Sequence, residues 1–383
     1  MILSIDTKEL VAALTLAGRV VPAKPVWPIL SNVKIVSNDN RATLIVSDHD
    51  STSEIDVSAE VGTEGACALP FAPLVTFVRA AKAGQVRIEV EGDRAKVSSG
   101  RSRITLSAVS VEDFPNSRPP EGEPVSLDGE VFRAALRFCA SAVTDDEARW
   151  HMAGVHFSEH DGNVDMFGTD SKSMHLASMR GVASVGGGGT LPIDAAQIVL
   201  AVAEKAEQVS FSISARGWFA ACGARRMWGK VVDGSFPNVR RMVDQFTEWR
   251  EACIAGRDDY TAAITVATCG ADAGSDRARN LILRVAEGEP VVMRGQRAIG
   301  GVVHAGRAEM EATGRAPFTG AISSKYLTGA VAGMQGEEIC LLVDARADGA
   351  SVISIKPAQE SNTLSMSAMI MALRASEAEL ADV

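Results

Sequence analysis

The chain has 383 residues, 46% hydrophobic and 22% charged, with a formal net charge of −10. Such a length exceeds one ordinary core and implies two or three domains. The composition is that of a soluble globular protein without an apolar run long enough to cross a bilayer, and the acidity excludes a protein that grips nucleic acid through bulk positive charge.

In chain order, a short strand leads into a helix in LSIDTKELVAAL, from Leu3. Alternating apolar runs follow in VKIVSNDNRATLIVS, where Asn38-Asp39-Asn40 reads as a hairpin turn. A second helix is expected in LPFAPLVTFVRAAKAG, from Leu69, and more alternating strands in QVRIEVEGDRAKVSSGRSRITLSA. The same grammar then returns. VSLDGEVFRAAL, from Val125, matches the first segment, LPIDAAQIVLAVAEKA, from Leu191, matches the second helix, and Asp170 in FGTDSK stands against Asp48 in IVSDHD. These pairs share one spacing of 122 residues with the Phe-Pro-Asn tripeptides that begin at Phe114 and Phe236. Four landmarks on one spacing indicate a duplication.

A fainter third copy has its first helix in CIAGRDDYTAAITVA, from Cys253, its second in ISSKYLTGAVAGM, from Ile322, and its last strand in TLSMSAMIMALR, from Thr363. Each copy reads as an α+β unit in which two helices cover antiparallel sheet. Boundaries fall near the proline-rich 117–124 and near 245–251, giving domains 1–121, 122–248 and 249–383, the last with an acidic C-terminal tail.

The residues offer no catalytic constellation, so no enzyme activity, cofactor or metal is expected. His156 and His160 are four apart, but VHFSEHDGN reads as strand into turn, and no helical face joins them as ligands. Glycines 186–189 lack a phosphate-cradling lysine and read as a flexible connection. Asp145-Asp146-Glu147 reads as a solvated charge run at a helix end. Six cysteines are scattered without a Cys-x-x-Cys pair and the first 14 residues carry no secretory pattern, which suggests free thiols in a reducing cytoplasm. Basic residues recur on the expected helices: Arg133 and Arg137 one turn apart, Arg79 with Lys82, and Lys8, Lys205 and Lys325. Similar helices in three linked units would present one shared basic surface while acidic residues take the outside.

SGRSRITLSAVSVEDFPN, from Ser99, KVVDGSFPNVRRM, from Lys230, and KPVWPILSNVKI, from Lys24, resemble the bacterial DNA polymerase III beta subunit, the sliding clamp family, whose three-fold repeat would run through nearly the whole chain. The resemblance implies a divergent member with three tandem DNA-clamp domains per subunit. Two subunits would join head to tail as a homodimer, a closed ring around duplex DNA with helices inside and sheets outside. Its function would be non-catalytic: a processivity factor of DNA replication that slides, because phosphate contacts carry no sequence information. DNA polymerase, clamp loader and repair proteins would dock through short peptides, in the cytoplasm and without a membrane. The rival reading is a clamp-like scaffold or decoy that binds peptides but has lost ring closure.

The resemblance also places the partner pocket at Met152; at Thr169, Ser171, Lys172, Ser173 and Met174; at Pro237, Arg241 and Met242; and at Met369, Met371, Ala372, Leu373 and Arg374. Methionines suit a groove that accepts many peptides. DNA contacts would fall to Lys24, Arg149, Trp150 and His151 besides the helical Arg79, Lys82, Arg133 and Arg137, and the ring contact to Arg101, Arg103, Ile104 and Leu106 on one strand. Divergence lies in Ser171-Lys172-Ser173-Met174, where the family has a Gly-His-Arg-Leu-like run, and in Met371-Ala372-Leu373-Arg374, which lacks the proline of a Met-Pro-Met-Arg-like stretch. The added tail, residues 375–383, is expected to lie over the pocket.

Overall fold

The computed structural model describes residues 1–82, 84–144, 146–269, 280–299, 302–344 and 352–372. Three successive stretches carry one order of elements: a strand, a helix, four strands, a helix, three strands. The first comprises β1 (Ile2–Asp6), α1 (Thr7–Ala17), β2 (Asn32–Asn38), β3 (Arg41–Ser47), β4 (Ser51–Thr63), β5 (Gly65–Pro70), α2 (Phe71–Ala80), β6 (Gln85–Glu91), β7 (Arg94–Ser99) and β8 (Ser102–Ser107). The second comprises β9 (Val125–Asp128), α3 (Gly129–Ala140), β10 (Gly154–His160), β11 (Asn163–Thr169), β12 (Ser173–Met179), β13 (Gly189–Pro192), α4 (Ile193–Val202), β14 (Gln208–Ser214), β15 (Gly217–Cys222) and β16 (Arg225–Gly229). A short α5 (Val239–Val243) precedes the third: β17 (Trp249–Gly256), α6 (Arg257–Cys269), β18 (Asn280–Val285), β19 (Pro290–Ile299), β20 (Val302–Thr313), β21 (Phe318–Ser323), α7 (Ser324–Gly333), β22 (Glu338–Asp344), β23 (Val352–Pro357) and β24 (Leu364–Met371).

By contacts the chain divides into two compact units, Met1–Glu130 with Val185–Val231, and Val131–Ser184 with Val232–Val383, so the middle copy contributes to both. In the first unit the strands run β8-β7-β6-β1-β4-β16-β15-β14-β9, with β3 beside β4, β2 beside β3 and β5 beside β2. The Asp6 carboxylate opens α1 by accepting the N–H groups of Lys8 and Glu9 at 2.9 and 3.0 Å. One face of α1 then buries Leu10, Ala13, Leu14 and Ala17, at helical spacing, on the sheet. The β2–β3 hairpin turns at Asp39, whose φ of 50° lies in the left-handed region that Asp tolerates.

The glycine run in this unit is a built turn rather than a flexible connection. Gly186, Gly187 and Gly188 all have positive φ, and the Gly188 N–H donates to the Ile213 carbonyl at 3.2 Å. A Cβ on Gly186 would meet that same carbonyl at 3.1 Å, so a close approach of two backbones requires glycine there.

In the second unit one sheet runs β10-β11-β12-β24-β23-β22-β17, and a four-stranded sheet runs β20-β19-β18-β21. α3 lies so close to β11 that a Cβ on Gly168 would overlap the Cys139 carbonyl. Beneath α3, His175 is 2% exposed and stacks on Phe138 with centroids 4.3 Å apart. Burial pulls its pKa down to about 4, so the imidazole is neutral at pH 7.

Candidate functional site

Two turns, 122 residues apart, are built from the same hydrogen bonds. In the first unit Asp48 Oδ1 accepts the N–H groups of Asp50 and Ser51 at 2.9 and 2.6 Å; in the second Asp170 Oδ1 accepts those of Lys172 and Ser173 at 2.9 and 2.8 Å. The hydroxyls of Ser47 and Thr169 each donate across the turn, to the carbonyls of Ser51 and Ser173. Both turns hold a non-glycine residue at positive φ, His49 at 86° and Ser171 at 72°. The two carboxyls differ electrostatically. Burial pushes Asp48 up. Burial also acts to raise Asp170, but hydrogen bonds from Tyr326 and from Ser173 and Lys172 outweigh it and hold that carboxyl below its usual value.

The Asp170 turn forms one lip of an apolar cavity of about 190 Å³. Met152, Thr169, Ser171, Lys172, Ser173 and Met174 line one side, Pro237 and Met242 come from α5 and its approach, and Met369 and Met371 from β24. Sheet register brings distant residues together: Met174 faces Met369 across β12 and β24, and Val352 faces Met371 across β23 and β24. The Met371 N–H donates to the Lys172 carbonyl at 2.9 Å, tying the two lips. On α5, the Asn238 side chain caps the Arg241 N–H at 3.1 Å. Arg240 bonds the carboxylate of Asp165, which is 1% exposed, and lies over the Phe167 ring at 5.9 Å. This anchorage holds the short helix that presents Val239 and Met242, spaced i and i+3, to the cavity, and Phe246 joins them from the chain beyond the helix end.

Val239, Phe246 and Val352 were not among the residues expected there. Val239, three residues before Met242 on α5, carried a usable helical signal; Phe246 lies beyond the helix, in the stretch read as the approach to a domain boundary, and Val352 depends on strand register alone. Of the expected set, exposed Arg241 and half-buried Ala372 are not cavity-lining, and Leu373, Arg374 and residues 375–383 lie outside the described residues.

The first unit carries the counterpart of this junction with different side chains. Thr52 faces Trp228 across β4 and β16, as Met174 faces Met369. Trp228 is 2% exposed and its Nε1 donates to Ser117 Oγ at 2.9 Å; Ser117 stands 122 residues before Val239. An indole thus occupies the place where the second unit has a thioether. Lys34 Nζ sits 5.7 Å over Phe114, while its counterpart His156 stacks on Phe236 at 4.5 Å. Burial pulls His156 down to about 4, so the second contact is a neutral stack.

The basic candidates divide. Lys24 is exposed on the loop after α1, and Arg79 ends α2 with Nη2 3.4 Å from Thr15 Oγ1. Lys82 and Lys205 are not helical, because α2 ends at Ala80 and α4 at Val202; Lys205 has a φ of 64°. Arg133 is half-buried on α3 and Arg137 exposed. Trp150 is 54% exposed and meets His151 edge-on at 5.9 Å. Arg149 is not an outstretched cation: its guanidinium donates to the Asp170 carbonyl at 2.7 Å and to Ser171 Oγ, and pairs with Asp146 at 3.3 Å. Asp146 also accepts the Ala148 N–H, so it caps a turn while staying exposed, as Glu147 does, and Asp145 lies outside the described residues. Trp27, 122 residues before Arg149, contacts His49, the counterpart of Ser171, at 5.0 Å.

β8 ends the sheet order of the first unit. It exposes Arg103 and half-buries Ile104, but Leu106 is 7% exposed and packs inward, and Arg101 lies in the turn before the strand.

A family model described as the DNA polymerase III beta subunit, N-terminal domain, matches residues 1–118. The chain is 25% identical to the beta sliding clamp of Caulobacter vibrioides over 354 residues, 88% of this chain and 92% of that protein. In sequence and in fold the chain resembles the bacterial sliding clamp family. It is 28% identical to the beta sliding clamp of Streptomyces coelicolor over 170 residues, 44% of this chain, and that match spans less than half, 45%, of the relative's length. The crystal structure of a sliding clamp from Bartonella birtlesii bound to griselimycin has the same fold, with a TM-score of 0.85 and 20% identity over 98% of this chain and 100% of that one. That likeness fits a site that offers an apolar cavity.

Proposed function

We propose that the chain is a DNA sliding clamp, a cytoplasmic processivity factor that closes head to tail as a homodimer around duplex DNA. The observation that carries the reading is the three-fold element order joined edge to edge through continuous sheet, at β4–β16 and again at β12–β24. Residues 1–121, 122–248 and 249–383 would be its three domains. Exposed Arg79 and Arg137 would contribute weak, sequence-independent phosphate contacts, with Lys24 and Trp150 on loops. Arg103 and Ile104 on the β8 edge would form the first domain's ring contact. DNA polymerase, clamp loader and repair proteins would dock by short peptides in the methionine-lined cavity.

The test is retention on DNA. Subunit mass is measured at low micromolar concentration, and the clamp is loaded onto circular DNA that is then linearised. A dimer that stays on circles and runs off free ends is expected. A monomer held equally by both forms would establish the ring-less scaffold instead.

A further inference from the structure

We propose that Met242 and Met371 are peroxide-sensitive sites whose oxidation switches off docking in the cavity. This rests on the partner-pocket reading above. Of 13 methionines in the chain, Met152, Met174, Met242, Met369 and Met371 converge on this one cavity. Three are buried, at 6%, 7% and 9% exposure, but Met242 is 52% exposed and Met371 50%. The two exposed residues border the cavity from different elements, one on α5 and one at the end of β24.

Oxidant therefore reaches the sulfurs that face an incoming apolar side chain. Hydrogen peroxide transfers one oxygen to the thioether sulfur, which loses two electrons and becomes a sulfoxide, while the peroxide is reduced to water. The product replaces a soft apolar contact with a strong dipole. Two of the neighbouring hydroxyls are already committed as donors. Thr169 Oγ1 already donates to the Ser173 carbonyl, and Ser173 Oγ to the Asp170 carboxylate. A docked apolar side chain would then bury a polar group without a partner, which opposes binding. A docked partner would conversely shield both sulfurs from peroxide.

Griselimycin is the probe, and the full chain is the sample. Peptide mapping by mass spectrometry reads oxygen addition at each methionine, and calorimetry reads affinity before and after treatment. Met242 and Met371 are expected to oxidise first, griselimycin to protect them, and affinity to fall about tenfold or more once both are sulfoxides. Treatment with the two epimer-specific methionine sulfoxide reductases and dithiothreitol restores it. M242L/M371L, compared with its own untreated affinity, should lose less than about twofold on the same peroxide dose. If the untreated chain binds griselimycin and the doubly oxidised chain binds it equally, the oxidation proposal is overturned while the pocket stands. Failure of the untreated chain to bind overturns the pocket reading, and the switch with it.

Discussion

Replacing Arg240 with alanine tests what holds the α5 wall of the cavity. Asp165 is 1% exposed and the Arg240 side chain 30% exposed; the two are bonded, and the guanidinium also covers Phe167. Removing one partner of a buried pair costs about 3–5 kcal/mol, because the other charge stays buried alone. Arg240 is partly solvated, so the lower end, ~3 kcal/mol, is expected. The cost should appear locally, as faster amide exchange across residues 236–249, by roughly 100-fold. Under the proposed pocket, griselimycin affinity should fall too, because Val239 and Met242 ride on the freed helix. Asn at 165 removes the orphaned charge, so D165N/R240A should recover about 1–2 kcal/mol relative to additivity of the single changes. Unchanged exchange in R240A, or strict additivity in the cycle, would refute the anchoring role.

Three further outcomes follow from the same geometry. Trp228→Ala removes a fully enclosed indole and its bond to Ser117, and should destabilise the first unit by about 3–5 kcal/mol in a denaturant titration; an unchanged midpoint would count against a packed junction. His175 has a folded pKa of about 4 against an ordinary value near 6.5, so between those limits only the unfolded chain holds the proton. Its contribution, on the order of 3 kcal/mol, is therefore present above pH 6.5 and lost as pH falls toward 4; H175Q should flatten that part of the stability profile, and parallel profiles would contradict it. Under the proposed ring, Ile104→Glu should convert dimer to monomer in sedimentation at micromolar concentration while keeping the circular dichroism of the folded chain, whereas a persisting dimer would remove β8 from the contact.

The repeat was legible because its landmarks are residues that backbone geometry demands. Asp48 and Asp170 stand where a carboxylate must accept two N–H groups, and Asp6 and Asp128 where a helix must be opened. Such roles leave the same residue type at the same spacing. Packing roles do not. Trp228 in an alternating strand reads as generic core, and nothing in the sequence indicates that it stands opposite Thr52. Val352 reaches the cavity only through the register of β23 on β24. The helix ends before Lys82 and Lys205 were missed because the chain continues in good helix formers, and tertiary context rather than a breaker ends α2 and α4. Arg149 looked like a free cation because its acceptors, the Asp170 carbonyl and Ser171, lie some twenty positions on.

Under the proposed function, the difference between the two junctions accounts for a docking cavity in the second unit. In the first unit Thr52, Ser117 and Trp228 meet, and the indole is both packed and hydrogen-bonded, so that junction gains the stability of a filled core. In the second unit Met174, Val239 and Met369 stand at the corresponding places. Methionines there bury part of their surface but can change rotamer, and the space they leave forgoes contact energy in the free chain. A partner side chain that entered would restore those contacts, and the stability withheld from folding would become available for binding. On that reading, the exchange of one tryptophan for one methionine, at equivalent positions on β16 and β24, would separate a structural joint from a socket.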